Sequence, residues 1–415
     1  MNLARKRLTS HDGQHNPTIE RMFDPWFTFG HLDSRFRTSD RPADDHNMAE
    51  PLTIGVEEEF FAIDPEQRSL VNGTTALLEF AHRLPGGRES YSAEFRTCMV
   101  ESRTRICHTL TELRAEIRGL RAGLILAARE TGSRIVAAGT FAQTDWRTQQ
   151  FVRQTRNHFI LDHYAQMART HVMCACQVHV GVADRDTAIK VVNRVRPWLA
   201  LLNALSASSP FWMGDDTGFA SYRSTVWESW PMSGIPPTFA SYQDYRTRMA
   251  TLIGTDTIAD TGQLYWDVRP GTKYRTVEFR SADACTTIDD TVLQAGLCRA
   301  LVRHALDELH DGCADPEPRP ELLRAAKWRA ARYGLSADLV DPIGGELVHA
   351  GVLIDRLLRM IGPALEDAGD HAEVSGLLAR KKTEGTSADH QRAVLTRGGT
   401  FADVADLLVW QTAQP

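Results

Sequence analysis

From Thr53 onward, short stretches of alternating apolar and ionisable residues are interleaved with longer stretches in which apolar residues recur three and four apart. Thr53 to Phe61 reads as a strand. Alternation then puts Glu57 and Glu59 on one face, and Ile54, Val56 and Phe60, together with Glu58, on the other. His171 to Val182 reads the same way, with Gln177 and His179 on one face and Cys174, Cys176, Val178 and Val180 behind. In a third strand over Tyr274 to Ser281, Glu278 and Arg280 oppose Val277 and Phe279. Three strands that are apolar behind and ionisable in front predict a sheet with one face on a core and the other lining a polar cleft.

Between the strands the period is helical. Thr109 and Glu112 have capping-box spacing ahead of Leu110, Leu113, Ile117, Leu120 and Leu124, and Gly132 marks the end of that helix. Ile135 to Ala138 reads as a short strand. Asp184 predicts an N-cap for an apolar helix that Pro197 should kink, and a further helix is expected from about Asp289 to His310. Pro210 to Tyr245, rich in Trp, Gly, Pro, Ser and Tyr, lacks a period and is expected to be a long ordered loop or a lid that keeps water out. From Pro320 to Gln411 helical segments alternate with Gly and Pro breaks.

Residues 1–49 are polar and aperiodic, with one aromatic cluster from Met22 to Phe27. They are expected to form a flexible extension preceding one catalytic unit over 50–415, with Met48 as an alternative start. No apolar run follows Arg5-Lys6-Arg7, so no export signal is expected, and no stretch approaches the ~20 apolar residues that cross a bilayer. The formal net charge of -6 on 415 residues, with no dense basic tract, argues against nucleic acid as a partner. Seven scattered cysteines suit thiols kept reduced in a cytoplasmic protein. Cys174 and Cys176 lack zinc-ligand spacing, and alternation turns them away from His179.

Hard carboxylate oxygens with few soft donors select Mg²⁺ or Mn²⁺ rather than zinc, and such an ion commonly bridges carboxylates to nucleotide phosphates. A guanidinium beside them, Arg280, suits a transferring phosphoryl group. Glu94 and Glu101 are a weaker pair, because their odd separation puts them on opposite faces of a regular strand unless a bend, bulge or loop intervenes.

Together Gly55-Val56-Glu57-Glu58-Glu59-Phe60, Met99-Val100-Glu101, Val178-His179-Val180-Gly181 and Thr276-Val277-Glu278-Phe279-Arg280 resemble the type 2 glutamate–cysteine ligases. Asn193 to Trp198, Ser206 to Trp212, Asp216 to Arg223 and Leu264 to Pro270 extend the likeness over about residues 51–411. The resemblance implies an α+β fold: a curved, mainly antiparallel sheet forming a funnel, with helices packed outside, as in the catalytic fold of glutamine synthetases. It implies ATP and Mg²⁺, small-molecule amino acid substrates, and an amide formed through an acylphosphate. Carried over by motif, Glu57, Glu59, Glu94, Glu101, His179 and Glu278 are metal-site residues, Arg280 faces the transferring phosphate, and Arg223 faces a phosphate or substrate carboxylate. Glu278→Gln is then expected to abolish turnover with little loss of folding.

Two departures bear on substrate. Gln177 stands where family members commonly carry histidine, and Ser102-Arg103-Thr104-Arg105 replaces common small residues after Glu101, adding positive charge near a carboxylate site. Three alternatives stay open: a ligase of the same class acting on another amino acid or amine, a metal-dependent hydrolase of amides or phosphoesters, and a non-catalytic relative that keeps the fold. The sequence also leaves a homo-oligomer open.

Overall fold

The computed structural model describes residues 52–414; the extension expected over 1–49 lies outside the described residues. Among these, seven strands form one antiparallel sheet: β1 (Ile54–Ile63), β2 (Tyr91–Ala93), β3 (Met99–Arg103), β4 (Arg134–Val136), β5 (Cys176–Gly181), β6 (Val268–Pro270) and β7 (Thr276–Phe279). Their order is β6-β7-β5-β1-β3-β2. The far end of β1 pairs with β4. The sheet is the antiparallel frame that the resemblance implied; β1 runs on to Ile63, past the expected Phe61, while β5 and β7 are shorter than the alternation suggested.

Behind the sheet pack α1 (Leu110–Glu130), α2 (Arg185–Val195), α3 (Leu199–Ser206) and α4 (Ile288–His310). Ile54, Val56, Val178, Val180, Val277 and Phe279 point into that core, so the alternation read from each strand is the one the fold uses. Cys176 joins them, but Cys174 lies in a second cluster with Phe61, Cys98 and Met99, because the chain before Cys176 has left the sheet. Helix α1 starts where Thr109 Oγ1 accepts from the Glu112 amide at 3.1 Å. Glu112 Oε2 reaches past the cap to the His108 amide at 2.7 Å, so the capping box is only half formed. Pro197 breaks α2 from α3 through a turn of 3₁₀ helix over Arg196–Trp198, and thus ends one helix rather than kinking it.

Glu58 is the exception on the apolar face. Arg121 on α1 meets it with Nη2 at 2.6 Å and Nε at 3.2 Å, and Thr291 Oγ1 donates to it at 2.6 Å from α4. Arg121 also donates to the carbonyls of Thr286 and Cys285, each at 2.8 Å. The pair ties the central strand to two helices. It also fixes the rotation of β1, since a one-residue slip would exchange Glu58 with its neighbours.

Removing one partner of a buried ion pair strands the other charge, at a cost of about 3–5 kcal/mol. Arg121→Ala should therefore lower the denaturation midpoint sharply. The double substitution Glu58→Leu with Arg121→Met should recover much of the loss. Thermal and urea unfolding read both, and an Arg121→Ala variant as stable as the parent would contradict the assignment.

Candidate active site

The front face of the sheet carries the ionisable residues in rows set by strand register. Gln177 and Arg103 flank Glu57 from β5 and β3; Glu101 and Ser92 follow Glu59 across β3 and β2; His179 lies opposite Glu278. All line one cavity of about 740 Å³, which the apolar side chains of Phe95, Ile160, Met173, Trp227, Trp230 and Tyr265 also line. Every site residue read from the sequence, including Glu94, Arg223 and Arg280, lines this cavity.

Glu94 and Glu101 come together because β2 returns as β3. Ser92 is paired with Glu101, so Glu94 shares the face of both. In an antiparallel hairpin facing residues have a fixed sum of sequence numbers. Here the facing residues, such as Ser92 and Glu101, have odd separations, so the odd separation that disqualified the pair from one strand is the one that this hairpin requires. One carboxylate oxygen each from Glu59, Glu94 and Glu101 lies within 4.8 Å of the others. Burial, then the charges of Glu59 and Glu101, push the Glu94 carboxyl well above its usual range. Burial, then Glu57, push Glu101 up to about 7, against the pull of Arg103. Burial also raises Glu59, although Arg223, the Ala175 amide and Arg280 oppose it.

The second group is Glu57, His179 and Glu278. His179 Nε2 lies 3.7 Å from Glu57 Oε1, too far for a hydrogen bond, and is buried without a hydrogen-bond partner. Its other nitrogen, Nδ1, sits 3.3 Å from Thr276 Oγ1. Burial pushes Glu57 up, but the neighbouring His179 outweighs it and holds the carboxyl low. His179 is raised because Glu57 and Glu278 outweigh its own burial. Glu278 is held far below the usual carboxylate range: burial opposes this, but Arg269 and Arg280 prevail. Arg269 forks onto it at 2.8 and 3.0 Å, and Arg280 Nη1 donates both to Glu278 and to Gln177 Oε1. Glu278 therefore already serves two guanidinium groups, and Glu278→Gln would remove their buried counter-charge as well as a ligand. The expectation of little cost to folding does not survive this geometry, and Glu59 or Glu94 is the cleaner position.

The donor set fits a hard divalent cation: oxygens predominate, three carboxylates converge with raised protonation, and His179 offers an unpartnered nitrogen. Arg223, on the short helix Tyr222–Trp227, lies with its guanidinium 5.4 Å from the Trp227 ring centroid and Nη1 3.8 Å from Asp283 Oδ1. Asp283 is fully buried and accepts from the Ser208 amide and the hydroxyls of Ser209 and Ser221. Sequence reading missed Arg269 and Asp283. The hairpin of β6 and β7, closed at Gly271, could have pointed to Arg269 opposite Glu278; Asp283 carries no periodic signal. The loop expected over 210–245 is an ordered wall, with Trp227 and Trp230 buried against Tyr265 at ring distances of 5.1 Å.

The helix-backed antiparallel sheet is a fold that this chain shares with solved ligases. The glutamate–cysteine ligase of Francisella tularensis, solved with AMP, superposes with a TM-score of 0.67 at 11% identity, over 88% of this chain and 90% of that one. A bifunctional glutathione synthetase from Pasteurella multocida matches 88% of this chain and 52% of its own with a TM-score of 0.65 at 14% identity. By sequence the chain belongs to glutamate–cysteine ligase family 2, whose family model matches residues 53–403. A Frankia casuarinae protein provisionally named glutamate–cysteine ligase 2-2 is 42% identical over 361 residues, covering 87% of this chain but only 41% of that protein. The chain likewise spans 42% of a Frankia alni relative. A Salinispora arenicola relative, provisionally named glutamate–cysteine ligase 2, is 42% identical over 376 residues and is covered to 98% of its length. Among the described residues no helix is long and apolar enough to cross a membrane.

The folded Glu101 carboxyl titrates at about 7 against 4.5 for the free group, so the folded chain holds the extra proton between those values. The stability contributed here falls as pH rises through that window. Mg²⁺ competes with the proton, so the rise in melting temperature on adding Mg²⁺ to EDTA-treated protein should be larger at pH 7.5 than at pH 5.5. Scanning fluorimetry measures it, and a shift that is absent or indifferent to pH would contradict the reading.

Proposed function

We propose that this chain is an ATP- and Mg²⁺-dependent carboxylate–amine ligase that joins the γ-carboxylate of L-glutamate to the amine of L-cysteine. The observation that carries the reading is the convergence of Glu57, Glu59, Glu94, Glu101 and Glu278 with His179, Arg223 and Arg280 around a single cavity. Membership of the family supports glutamate and cysteine as the substrate pair.

A carboxylate resists attack by an amine. In the proposed sequence its oxygen attacks the γ-phosphorus of ATP and ADP leaves. A neutral amine then attacks the acylphosphate carbonyl, inorganic phosphate departs with the electron pair of the broken C–O bond, and the amide nitrogen loses a proton. Glu59, Glu94 and Glu101 would form one Mg²⁺ ligand set and Glu57, His179 and Glu278 a second; bound there, Mg²⁺ neutralises charge on the phosphate oxygens. Arg280 has its Nε buried and unpartnered, available to the transferring phosphoryl group. Arg223, fixed between Asp283 and the Trp227 ring, suits a phosphate or a substrate carboxylate. Trp227, Trp230 and Tyr265 line the same cavity with aromatic rings that would restrict water there and protect an acylphosphate from hydrolysis.

A competing reading keeps the reaction class and changes the acceptor amine. It is favoured by Gln177, whose amide bridges Glu59, with Nε2 at 3.1 Å from its Oε1, and Arg280, where relatives commonly carry histidine.

Incubation with ATP, Mg²⁺, L-glutamate and a panel of amines, followed by phosphate assay and product mass, separates these readings. Amide formed in step with phosphate release supports the ligase and names the acceptor; amide hydrolysis without ATP consumption would sink it. Arg280→Lys should reduce kcat by about 10²- to 10³-fold, because an ammonium cannot copy the planar fork at developing phosphoryl charge. An unchanged kcat would remove Arg280 from the assignment.

A further inference from the structure

Arg103 and Arg105 both follow Glu101, yet the structure gives them different tasks. Arg105 also borders the cavity, but its charge is already engaged: its guanidinium forks onto Glu116 of α1 at 2.7 and 3.1 Å, and its side chain is 66% exposed. Arg103 lies on the site face of β3, directly across from Glu57, and lines the cavity. Its one ion-pair contact is a single point, Nη1 at 3.3 Å from Glu101 Oε1, and its Nε is buried with no hydrogen-bond partner.

Register adds a second observation. Arg280 follows Phe279, which pairs with Val178, and it donates to Gln177; Gln177 faces Glu57, and Glu57 faces Arg103. One row across four strands therefore runs guanidinium, amide, carboxylate, guanidinium. Its two ends are three strand spacings apart, or about 14 Å at the backbone. Arg280 already has Glu278 as a close counter-charge, while Arg103 meets Glu101 at a single point and stands across from Glu57; Glu101 is also one of the three carboxylates that converge as a cation site. A cation held by Glu101 competes with that contact and leaves the half-buried, cavity-lining guanidinium of Arg103 open to a further anion. Half-buried guanidinium groups bind carboxylates in forked geometry.

We propose that Arg103 is a substrate-binding residue that recognises a carboxylate carried by one of the two amino acid substrates, at the end of the site opposite Arg280. The proposal rests on the ligase reading and narrows it. The acyl donor or the acceptor amine must carry a free carboxylate besides the reacting groups, and an amine or acid stripped of it is a poor substrate.

The test pairs L-glutamate and its α-amide as donors with L-cysteine and cysteamine as acceptors, in the full chain and in Arg103→Ala. Arg103→Gln, which keeps the length of the side chain, is a second variant should the alanine variant unfold. The expected result is a rise in KM of tenfold or more for one carboxylate-bearing substrate. KM for its uncharged analogue and for ATP should be unchanged, so that the parent's preference between the two collapses. Which substrate responds tells the donor's carboxylate from the acceptor's. Equal losses with all substrates, a shift confined to the ATP KM or to the Mg²⁺ activation constant, or no change at all would each overturn the proposal. Calorimetry of L-glutamate and L-cysteine binding, in the presence of Mg²⁺ and a non-hydrolysable ATP analogue, reads the same contrast without turnover. Should the parent form no amide with any pair, the ligase reading fails, while the Arg103 contrast is still decided by binding.

Discussion

The structure depends on holding several carboxylates on one face of a sheet whose other face is dry. Strand β1 bears consecutive glutamates, and pleating sends Glu57 and Glu59 forward while turning Glu58 into the core. A buried carboxylate is tolerated only when it is paired, and Arg121 with Thr291 supplies the pairing for Glu58. That contact locks the rotation of β1, so the placement of every front-face group follows from an ion pair that never meets the cavity. In front, Glu278 is satisfied by Arg269 and Arg280, but Glu59, Glu94 and Glu101 are not matched in the same way, and their raised protonation expresses the deficit. A divalent cation is the counter-charge that such a set lacks.

Much of this was legible in the chain because strand periodicity is a local property. The faces of Glu57, Glu59, His179, Glu278 and Arg280 follow from counting by twos, and the cores behind them from the intervening Val, Ile and Phe. What could not be counted were contacts set by which strand returns beside which. Glu94 joins Glu101 through a hairpin. Arg269 joins Glu278 through another, and Arg121 reaches Glu58 from a helix 63 residues away. The Trp-rich segment shows a different limit. Lacking a period, it reads equally as an ordered loop or a lid, and the burial of its rings is decided by tertiary packing that no local pattern encodes.

The same geometry explains why substrate is harder to read than reaction class. The groups proposed for metal and phosphoryl chemistry sit on the regular strands, where alternation reports them. The residues that distinguish this chain, Gln177 and Arg103, occupy the same rows but act through what they lean on: Gln177 on Glu59 and Arg280, Arg103 on Glu101. Their chemistry is set by neighbours on other strands, and so it emerges only when the rows are assembled.

Locating bound Mn²⁺ tests the account most directly, because Mn²⁺ shares the oxygen preference of Mg²⁺ and scatters anomalously. Crystals of the protein grown with Mn²⁺ and a non-hydrolysable ATP analogue should show an anomalous peak among Glu59, Glu94 and Glu101, and the peak should be lost in Glu59→Gln. Mn²⁺ bound elsewhere, with those three carboxylates free of metal, would contradict the claim that the front face of the sheet is built around a divalent cation.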